Sequence, residues 1–195
     1  MTFLKFSIIS LLGLFSICCQ ASSPEVYLEQ KLSPMIQLIN KESASSKKNM
    51  DPLVNKLTEM ILPIVDSNGI SKSVTGKYWS NAGAGMQEKF SKKFVRLIVR
   101  SFIAYITAGE GVSAKYRPVA DSSQKLVTVT SQVKFKTGEK WRVEYLLSKS
   151  DDDWLIEDIT LDGLSLVTSY REQFRPILEE KGFNGLYELV SKVAQ

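Results

Sequence analysis

Four carboxylates in the second half of the chain are the residues best suited to acid–base chemistry. They are Glu144, Glu157, Asp158 and Asp162, which lie in or beside stretches of alternating polar and apolar residues. The chain contains no histidine, so Ser-His-Asp triads and Cys-His pairs are excluded. Glu144 and Glu157 occupy the polar positions of their stretches, where exposure to solvent accounts for a carboxylate. We therefore predict no catalytic residue.

Both cysteines, Cys18 and Cys19, lie in a segment typical of a secretory signal. Lys5 precedes an apolar run over residues 6–19, and the sequence Cys-Gln-Ala then predicts cleavage after Ala21. The run is shorter than the roughly 20 residues that a membrane-spanning helix needs. Lipidation of Cys18 or Cys19 is the alternative, although the large residue ahead of Cys18 is unusual there. Without this segment no cysteine is left, so zinc sites with His or Cys ligands are excluded as well.

Cleavage after residue 21 predicts a single domain over residues 22–195, long enough to bury a substantial core. The net charge of the whole chain is only +4, too small to indicate a nucleic-acid partner. An aspartate run at residues 151–153 lacks the spaced ligands of a calcium loop, so we interpret it as a hairpin turn. We accordingly predict neither a metal nor a cofactor.

Helical spacing of apolar residues appears before and after the middle of the chain. The pattern predicts a helix over 24–40 that is interrupted or bent near Pro34, and a second helix capped by Asp51 with Pro52 at its first position. Residues 66–85 predict a turn, a short helix and another turn. A long helix follows over 86–108, with Gly109 as its C-cap and a basic face that is either solvated or attracted to lipid headgroups or an acidic partner. That basic face consists of Lys89, Lys92, Lys93, Arg96 and Arg100.

Alternation with a period of two replaces helical spacing after residue 111. It predicts three or four successive strands joined by tight turns, and hence an antiparallel meander. Helical spacing resumes after Gly163, stops near Gly182 and returns in a short terminal helix. The order of helices, sheet and helices predicts an α+β fold in which helices from both ends of the chain cover a curved antiparallel sheet of about four strands. The predicted strands span residues 112–119, 126–135, 141–148 and 154–161.

An apolar set is shared by the predicted sheet and the helix that follows it. The set consists of Val129, Val133, Val143, Tyr145, Leu147, Leu164, Val167 and Phe174. If the sheet and the helices meet fully, these side chains form an ordinary core, which composition alone favours. If the sheet is curved, they line a cone-shaped cavity that suits acyl chains better than a polar substrate.

Several short segments between residues 51 and 190 occur in an order that is typical of one protein family. The segments are Asp66, Val74, Gly76 and Tyr78-Trp79; the aromatic-rich helix 90–105; Val143-Glu144-Tyr145; the Trp154 strand; residues 158–166 with Tyr170-Arg171 and Phe174; and residues 181–186. Together they resemble the MlaC family, the toluene-tolerance or Tgt-type periplasmic proteins that carry phospholipid in the Mla lipid-transport pathway. Asn68-Gly69 and Ser80 depart from the family pattern, which affects the local contacts of one loop.

This resemblance implies a fold related to the nuclear-transport-factor-like cone, with acyl chains held between the sheet and the helices. It also implies a periplasmic, non-enzymatic carrier whose cargo is phospholipid. The implied partners are an inner-membrane Mla ABC transporter with an MCE ring and an outer-membrane Mla lipoprotein–porin complex. A lipid-free adaptor with a filled interior and a small hydrolase or isomerase on a similar cone are the alternatives.

The lipid-contacting residues predicted from this interpretation lie on the long helix, the sheet and the helix after it. Leu164, in the Asp-Gly-Leu-Ser turn, is the position where we expect a charge to abolish lipid binding. The predicted residues are Phe94, Ile98, Tyr105, Val129, Val133, Val143, Tyr145, Leu147, Ile159, Leu164, Val167 and Phe174.

Overall fold

The computed structural model describes residues 22–42, 49–108, 111–150 and 153–194, so the predicted signal segment and the predicted cap at Gly109 lie outside the described residues. Within these residues the structure contains five α-helices, two short 3-10 turns and five strands. The helices are α1 (Pro24–Glu42), α2 (Asp51–Ile61), α3 (Ser67–Thr75), α4 (Ala84–Ala108) and α5 (Leu166–Val193), with 3-10 turns at Leu62–Ile64 and Gly76–Asn81. The strands are β1 (Val112–Tyr116), β2 (Leu126–Phe135), β3 (Lys140–Ser150), β4 (Asp153–Leu161) and β5 (Leu164–Ser165).

The sheet confirms the predicted α+β fold and meander. Its spatial order is β1-β2-β3-β4-β5 and every neighbouring pair is antiparallel. The fifth strand was not predicted, because two residues are too few to show an alternating pattern. A tight Asp162-Gly163 turn joins β4 to β5, with φ of 45° at Asp162 and 89° at Gly163. Asp162 stabilises this turn by accepting a hydrogen bond from the Arg142 backbone N–H at 2.9 Å.

The edge of β1 is partly blocked by a side chain from α1. Asn40 Nδ2 donates to the Val112 carbonyl and Asn40 Oδ1 accepts from the Val112 N–H, both at 2.8 Å. The amide therefore takes the place of a neighbouring strand, which satisfies an exposed edge and ties the end of α1 to the sheet.

Three sequence predictions about the helices have different outcomes. The predicted Asp51 cap is wrong: α2 begins at Asp51, whose N–H is capped by the Asn49 side chain at 3.0 Å, and its carboxylate instead pairs with Arg96 and Arg100 of α4. The first helix is continuous through Pro34, so it is not interrupted there. At Gly182 the φ of 63° and ψ of −166° break α5, as the sequence predicted.

Two hydrophobic clusters divide the molecule. The sheet cluster lies between the inward face of β1–β4 and the helices α1 and α2. The helical cluster lies among α3, α5 and the first half of α4, where Phe90 and Phe94 stack on each other and contact Phe183 and Phe174. Helix α4 joins them, because its first half belongs to the helical cluster and Ile103 near its end belongs to the sheet cluster.

Candidate functional site

The sheet cluster contains an apolar cavity of about 200 Å³. Helices α1, α2 and the second half of α4 cover it, and strands β1–β4 form its floor. Its lining contains no charged side chain. The lining residues are Leu32, Met35, Ile36, Ile39, Leu57, Ile61, Ile98, Val99, Phe102, Ile103, Ile106, Val112, Ala114, Tyr116, Val133, Phe135, Trp141, Val143, Tyr145, Ile159 and Leu161.

The cavity occupies only the half of the sheet nearest the β2–β3 hairpin. There the inward side chains of β2 and β3, such as Phe135 and Trp141, line open space. In the other half, Val127, Val129 and Leu147 are buried beneath Tyr27 and Leu28 of α1 and do not line the cavity. One continuous sheet face therefore changes from a filled core to a cavity along the strands.

Helix packing explains where the space lies. Helix α4 packs mainly against α2, α3 and α5 rather than on a strand, whereas α1 packs against β1 and α2. The second half of α4 consequently stands away from the sheet and leaves room beneath it. Leu32 and Ile36 on α1 and Phe102 and Ile106 on α4 are all partly exposed, so the cavity is open between these helices.

Three hydroxyl groups form a small polar patch in the cavity floor. Tyr116 and Ser131 are partners across β1 and β2, and their hydroxyls lie beside that of Tyr145 without making a hydrogen bond of good geometry. Burial raises the pKa of Tyr145, and burial together with the neighbouring Tyr145 raises the pKa of Tyr116. Both phenols therefore remain neutral at physiological pH, and the cavity wall carries no ionised group.

A second, smaller cavity of about 50 Å³ lies beside the first, beneath the start of α5. Ile61, Ile98, Val99 and Ile159 line both cavities and so form the partition between them. Val167 lines the smaller cavity from α5. A displacement of this partition would join the two spaces.

The carboxylates that were candidates for acid–base chemistry make structural hydrogen bonds. Glu144 accepts from Arg142 at 2.6 Å and Glu157 accepts from Ser148 at 2.5 Å. Asp158 accepts from Ser165 Oγ at 2.5 Å and from the Val167 N–H at 3.1 Å, which anchors the beginning of α5. None of them lines the larger cavity, and Asp158 lines the smaller one. In the part of the chain that the structure describes, no cluster of acidic, His or Cys side chains could hold a metal ion.

The structure brings together only part of the set of lipid-contacting residues predicted from the sequence. Ile98, Val133, Val143, Tyr145 and Ile159 line the larger cavity, and Val167 lines the smaller one. Val129 and Leu147 lie in the filled half of the sheet cluster instead. Phe94 and Phe174 lie in the helical cluster, where their rings are 5.4 Å apart.

Two of the predicted residues lie on the outside of the molecule. Leu164 is 72% exposed and lines neither of these two cavities, so its place in a lipid site stays a prediction. The cause of its exposure is its position at the start of the two-residue β5, directly after the Asp162-Gly163 turn. Tyr105 is 52% exposed and packs against the outer side of Trp141, with ring centroids 4.5 Å apart.

Sequence reasoning missed the helical wall of the cavity. Leu32, Met35, Ile36 and Ile39 recur at helical spacing on α1, and that apolar stripe was recognised, but an identical stripe would cover a filled core. Phe102, Ile103 and Ile106 of α4 were missed for the same reason. The aromatic pair Phe135 and Trp141 on either side of the β2–β3 turn was the strongest available signal.

The basic face of α4 is partly used for internal contacts. Arg96 donates to Asn55 of α2 and to the Ala194 carbonyl, and Arg100 pairs with Asp51. Lys92 pairs with Glu88 at 2.7 Å on the exposed side of the helix. The two arginines therefore bind α4 to its neighbours.

No helix among the described residues is both long and apolar enough to cross a membrane. A model of the family described as MlaC protein matches residues 29–192 of the chain. The toluene tolerance protein ttg2D of Pseudomonas putida is 21% identical over 181 residues, which cover 92% of this chain and 84% of that protein.

The fold also resembles that of a solved structure, a phospholipid-binding protein from Ralstonia solanacearum in complex with a phospholipid. The TM-score is 0.77 and the sequences are 22% identical, with 89% of this chain and 97% of the other covered. This likeness supports the same architecture of an antiparallel sheet covered by helices.

Proposed function

The chain belongs to the MlaC family, and we propose that it is a periplasmic carrier that holds the acyl chains of a phospholipid in the cavity over the sheet. The observation that carries this proposal is a wall without charged side chains, built from four strands and three helices. A Pseudomonas putida relative named for toluene tolerance and a fold shared with a phospholipid-binding protein agree with it.

An apolar wall is what the exchange of lipid with a bilayer requires. Moving about 30 methylenes out of water is worth roughly 24 kcal/mol at about 0.8 kcal/mol each. A lipid that leaves a bilayer gains almost none of this energy, because its chains were already out of water. A charged group in the wall of the larger cavity would therefore shift the balance towards the bilayer and prevent loading.

The cavity must widen to hold its cargo. A volume of about 200 Å³ is below the roughly 300 Å³ at which pockets for drug-sized ligands begin, so it accommodates only part of an acyl chain. The partition at Ile98, Val99 and Ile159 is the place where space can be gained, because the smaller cavity lies directly behind it. We expect lipid to separate the second half of α4 from the sheet.

The wider role follows from the family and stays part of the proposal. Residues 1–21 would direct export and be removed after Ala21. The mature domain would then exchange phospholipid with an inner-membrane Mla ABC transporter through its MCE ring and with an outer-membrane Mla lipoprotein–porin complex. A lipid-free adaptor would have a filled interior, whereas this chain contains a cavity. A hydrolase would need a free carboxylate, whereas Glu144, Glu157 and Asp158 accept hydrogen bonds from neighbouring side chains.

A charge placed in the cavity wall tests the proposal. Val133 is a partly exposed residue of β2 that lines the cavity, and its neighbour Gln132 points to the opposite, exposed face. We expect Val133→Glu to fold and to retain at least tenfold less phospholipid after purification, measured by organic extraction and mass spectrometry. Gln132→Glu carries the same new charge on the same strand and should retain the wild-type amount.

An uncharged variant covers the case in which Val133→Glu does not fold. Ala114 lines the cavity opposite Val133 on β1, and Ala114→Phe fills the space without adding charge. It should also reduce the extracted phospholipid. Folded Val133→Glu and Ala114→Phe proteins with wild-type lipid content would contradict the proposed site.

A further inference from the structure

The end of the cavity nearest the β2–β3 hairpin carries three aromatic rings in mutual contact, those of Tyr105, Phe135 and Trp141, which we call the aromatic rim. The Tyr105 and Trp141 rings are 4.5 Å apart, and Phe135 lies 4.7 Å from Trp141. Phe135 is buried and Trp141 is partly exposed, whereas 52% of Tyr105 is exposed although it has two aromatic neighbours. The Trp141 indole N–H points outward and donates to Glu139 at 2.9 Å. Rings with an apolar body and a polar edge of this kind favour the boundary between water and lipid.

Basic side chains lie on the hairpin that carries Phe135 and Trp141, where Lys134, Lys140 and Arg142 occupy strand positions that face away from the cavity. Residues 134–142 of the β2–β3 hairpin contain Lys134, Lys136, Lys140 and Arg142 against the single acid Glu139, a charge of +3 in sequence that Glu144 and Asp162, both in contact with Arg142, reduce to +1. All four basic residues are exposed. Arg142 pairs with Glu144 at 2.6 Å, and none of the three lysines takes part in the ion pairs found within the described residues.

The opposite end of β3 has the opposite charge. Residues 149–153 contain Lys149 and three aspartates, a charge of −2 in sequence that Lys125, whose carbonyl accepts from the Lys149 N–H, reduces to −1. The 11 residues of β3 extend over roughly 35 Å, which is about four times the Debye length of about 8 Å in physiological salt. An external surface therefore interacts with the two ends separately, and an anionic surface attracts the end that carries the aromatic rim.

We propose that this rim and its basic hairpin dock directly on a bilayer that contains anionic phospholipid. Tyr105 and Trp141 would enter the headgroup layer, while the three lysines and Arg142 approach the phosphates, so that the hairpin end of the cavity lies at the membrane. This inference rests on the proposed carrier function, because acyl chains that pass from bilayer to cavity then need not cross water. Each lysine near an anionic surface is expected to strengthen binding about fivefold.

Vesicle sedimentation tests the docking surface. The mature domain, residues 22–195, is mixed with vesicles of phosphatidylcholine alone or of equal parts phosphatidylcholine and phosphatidylglycerol. We expect binding only to the mixed vesicles, and weaker binding as salt is raised. The triple variant Lys134→Gln, Lys136→Gln and Lys140→Gln should bind about a hundredfold more weakly, and Tyr105→Ser should weaken binding in high salt as well as in low salt.

A second triple variant is the matched control. Lys72→Gln, Lys89→Gln and Lys192→Gln remove the same charge from exposed positions on α3, α4 and α5. This control should bind within about twofold of wild type. An equal loss in both triple variants, or wild-type binding by the hairpin variant, would overturn the proposed surface. Wild-type protein that binds neither kind of vesicle would also overturn the proposed surface. In that case the basic hairpin would be assigned to an acidic protein partner.

Phospholipid extracted from the same preparations separates the two proposals. The hairpin lysines do not line the cavity, so the hairpin variant should carry the wild-type amount of phospholipid. Lipid-loaded protein that does not bind vesicles contradicts the docking surface and leaves the carrier function intact. Wild-type protein without extractable phospholipid contradicts the carrier function itself.

Discussion

Helix α4 passes from a filled core to an open cavity within one continuous helix. Around its first half, Phe90 and Phe94 are fully buried and pack against Phe174 and Phe183. Around its second half, Phe102 and Ile106 are partly exposed and face space over the sheet. Interlocking rings fix the first half in place. The second half borders the cavity, and its ring contact is that of Tyr105 with Trp141 and Phe135 at the outside, so we infer that this half can move when a ligand binds.

Similar apolar residues have different roles in the two halves of α4. Large apolar side chains in the helical cluster contribute to stability because they fill their space. Those around the cavity contribute less, since part of their surface has no protein neighbour. Stability and lipid capacity should therefore respond to different substitutions along the same helix.

The largest expected effect is the loss of a ring from the helical cluster. Phe94→Ala should lower the free energy of unfolding by about 3–5 kcal/mol, because it removes a fully buried ring and leaves a void. Phe102→Ala, two turns later on the same helix, should cost only about 1–2 kcal/mol, because that ring already borders a cavity. Urea denaturation of both variants measures the difference, and equal costs would remove the distinction between the two halves of α4.

A pH-dependent effect of intermediate size is expected in the cavity floor. The pKa of Tyr145 is raised by burial, so the folded state disfavours the phenolate. In the unfolded chain this phenol has a pKa of about 10, and below that pH Tyr145 adds no pH dependence to the free energy of unfolding. Above that pH the free energy of unfolding falls.

Tyr145→Phe should remove that part of the alkaline loss. Denaturation at pH 8 and at pH 11 measures it as a smaller decrease in the free energy of unfolding than in wild type. Tyr105→Phe, which removes a half-exposed hydroxyl outside the cavity, should leave the decrease unchanged. Equal decreases in wild type and Tyr145→Phe would show that the floor tyrosine is not shielded from water.

Much of the fold could be predicted because its signals are local. The alternation of residues 126–135 coincides with β2, and Gly182 breaks α5 where helical spacing stopped. The Asp51 cap was wrong because Asn49, two residues earlier, supplies the capping oxygen, and two arginines that are distant in sequence engage the Asp51 carboxylate. Such contacts depend on how the helices pack, which local sequence does not encode.

The candidate site was less predictable than the fold. Apolar spacing shows that Val133 and Leu147 point to the same side of the sheet, but not that only Val133 meets a cavity. That distinction depends on where α1 and α4 lie above the sheet. Leu164 continues the apolar spacing of the helix that follows it, yet a two-residue strand after a tight turn leaves it in solvent.

The smallest effect is expected at Leu164. Leu164→Glu should change the free energy of unfolding by less than about 0.5 kcal/mol, because the side chain is 72% exposed. It should also leave the extracted phospholipid at the wild-type amount, in contrast to Val133→Glu. Chemical denaturation and lipid extraction check both points, and a folded Leu164→Glu protein without lipid would place this residue in the site.

Native mass spectrometry of residues 22–195, followed by organic extraction, tests the carrier function most directly. The carrier function predicts a protein mass increased by diacyl phospholipid at a fixed stoichiometry, and the same phospholipid in the extract. Protein that consistently has the mass of the polypeptide alone, with no phospholipid in the extract, would contradict it.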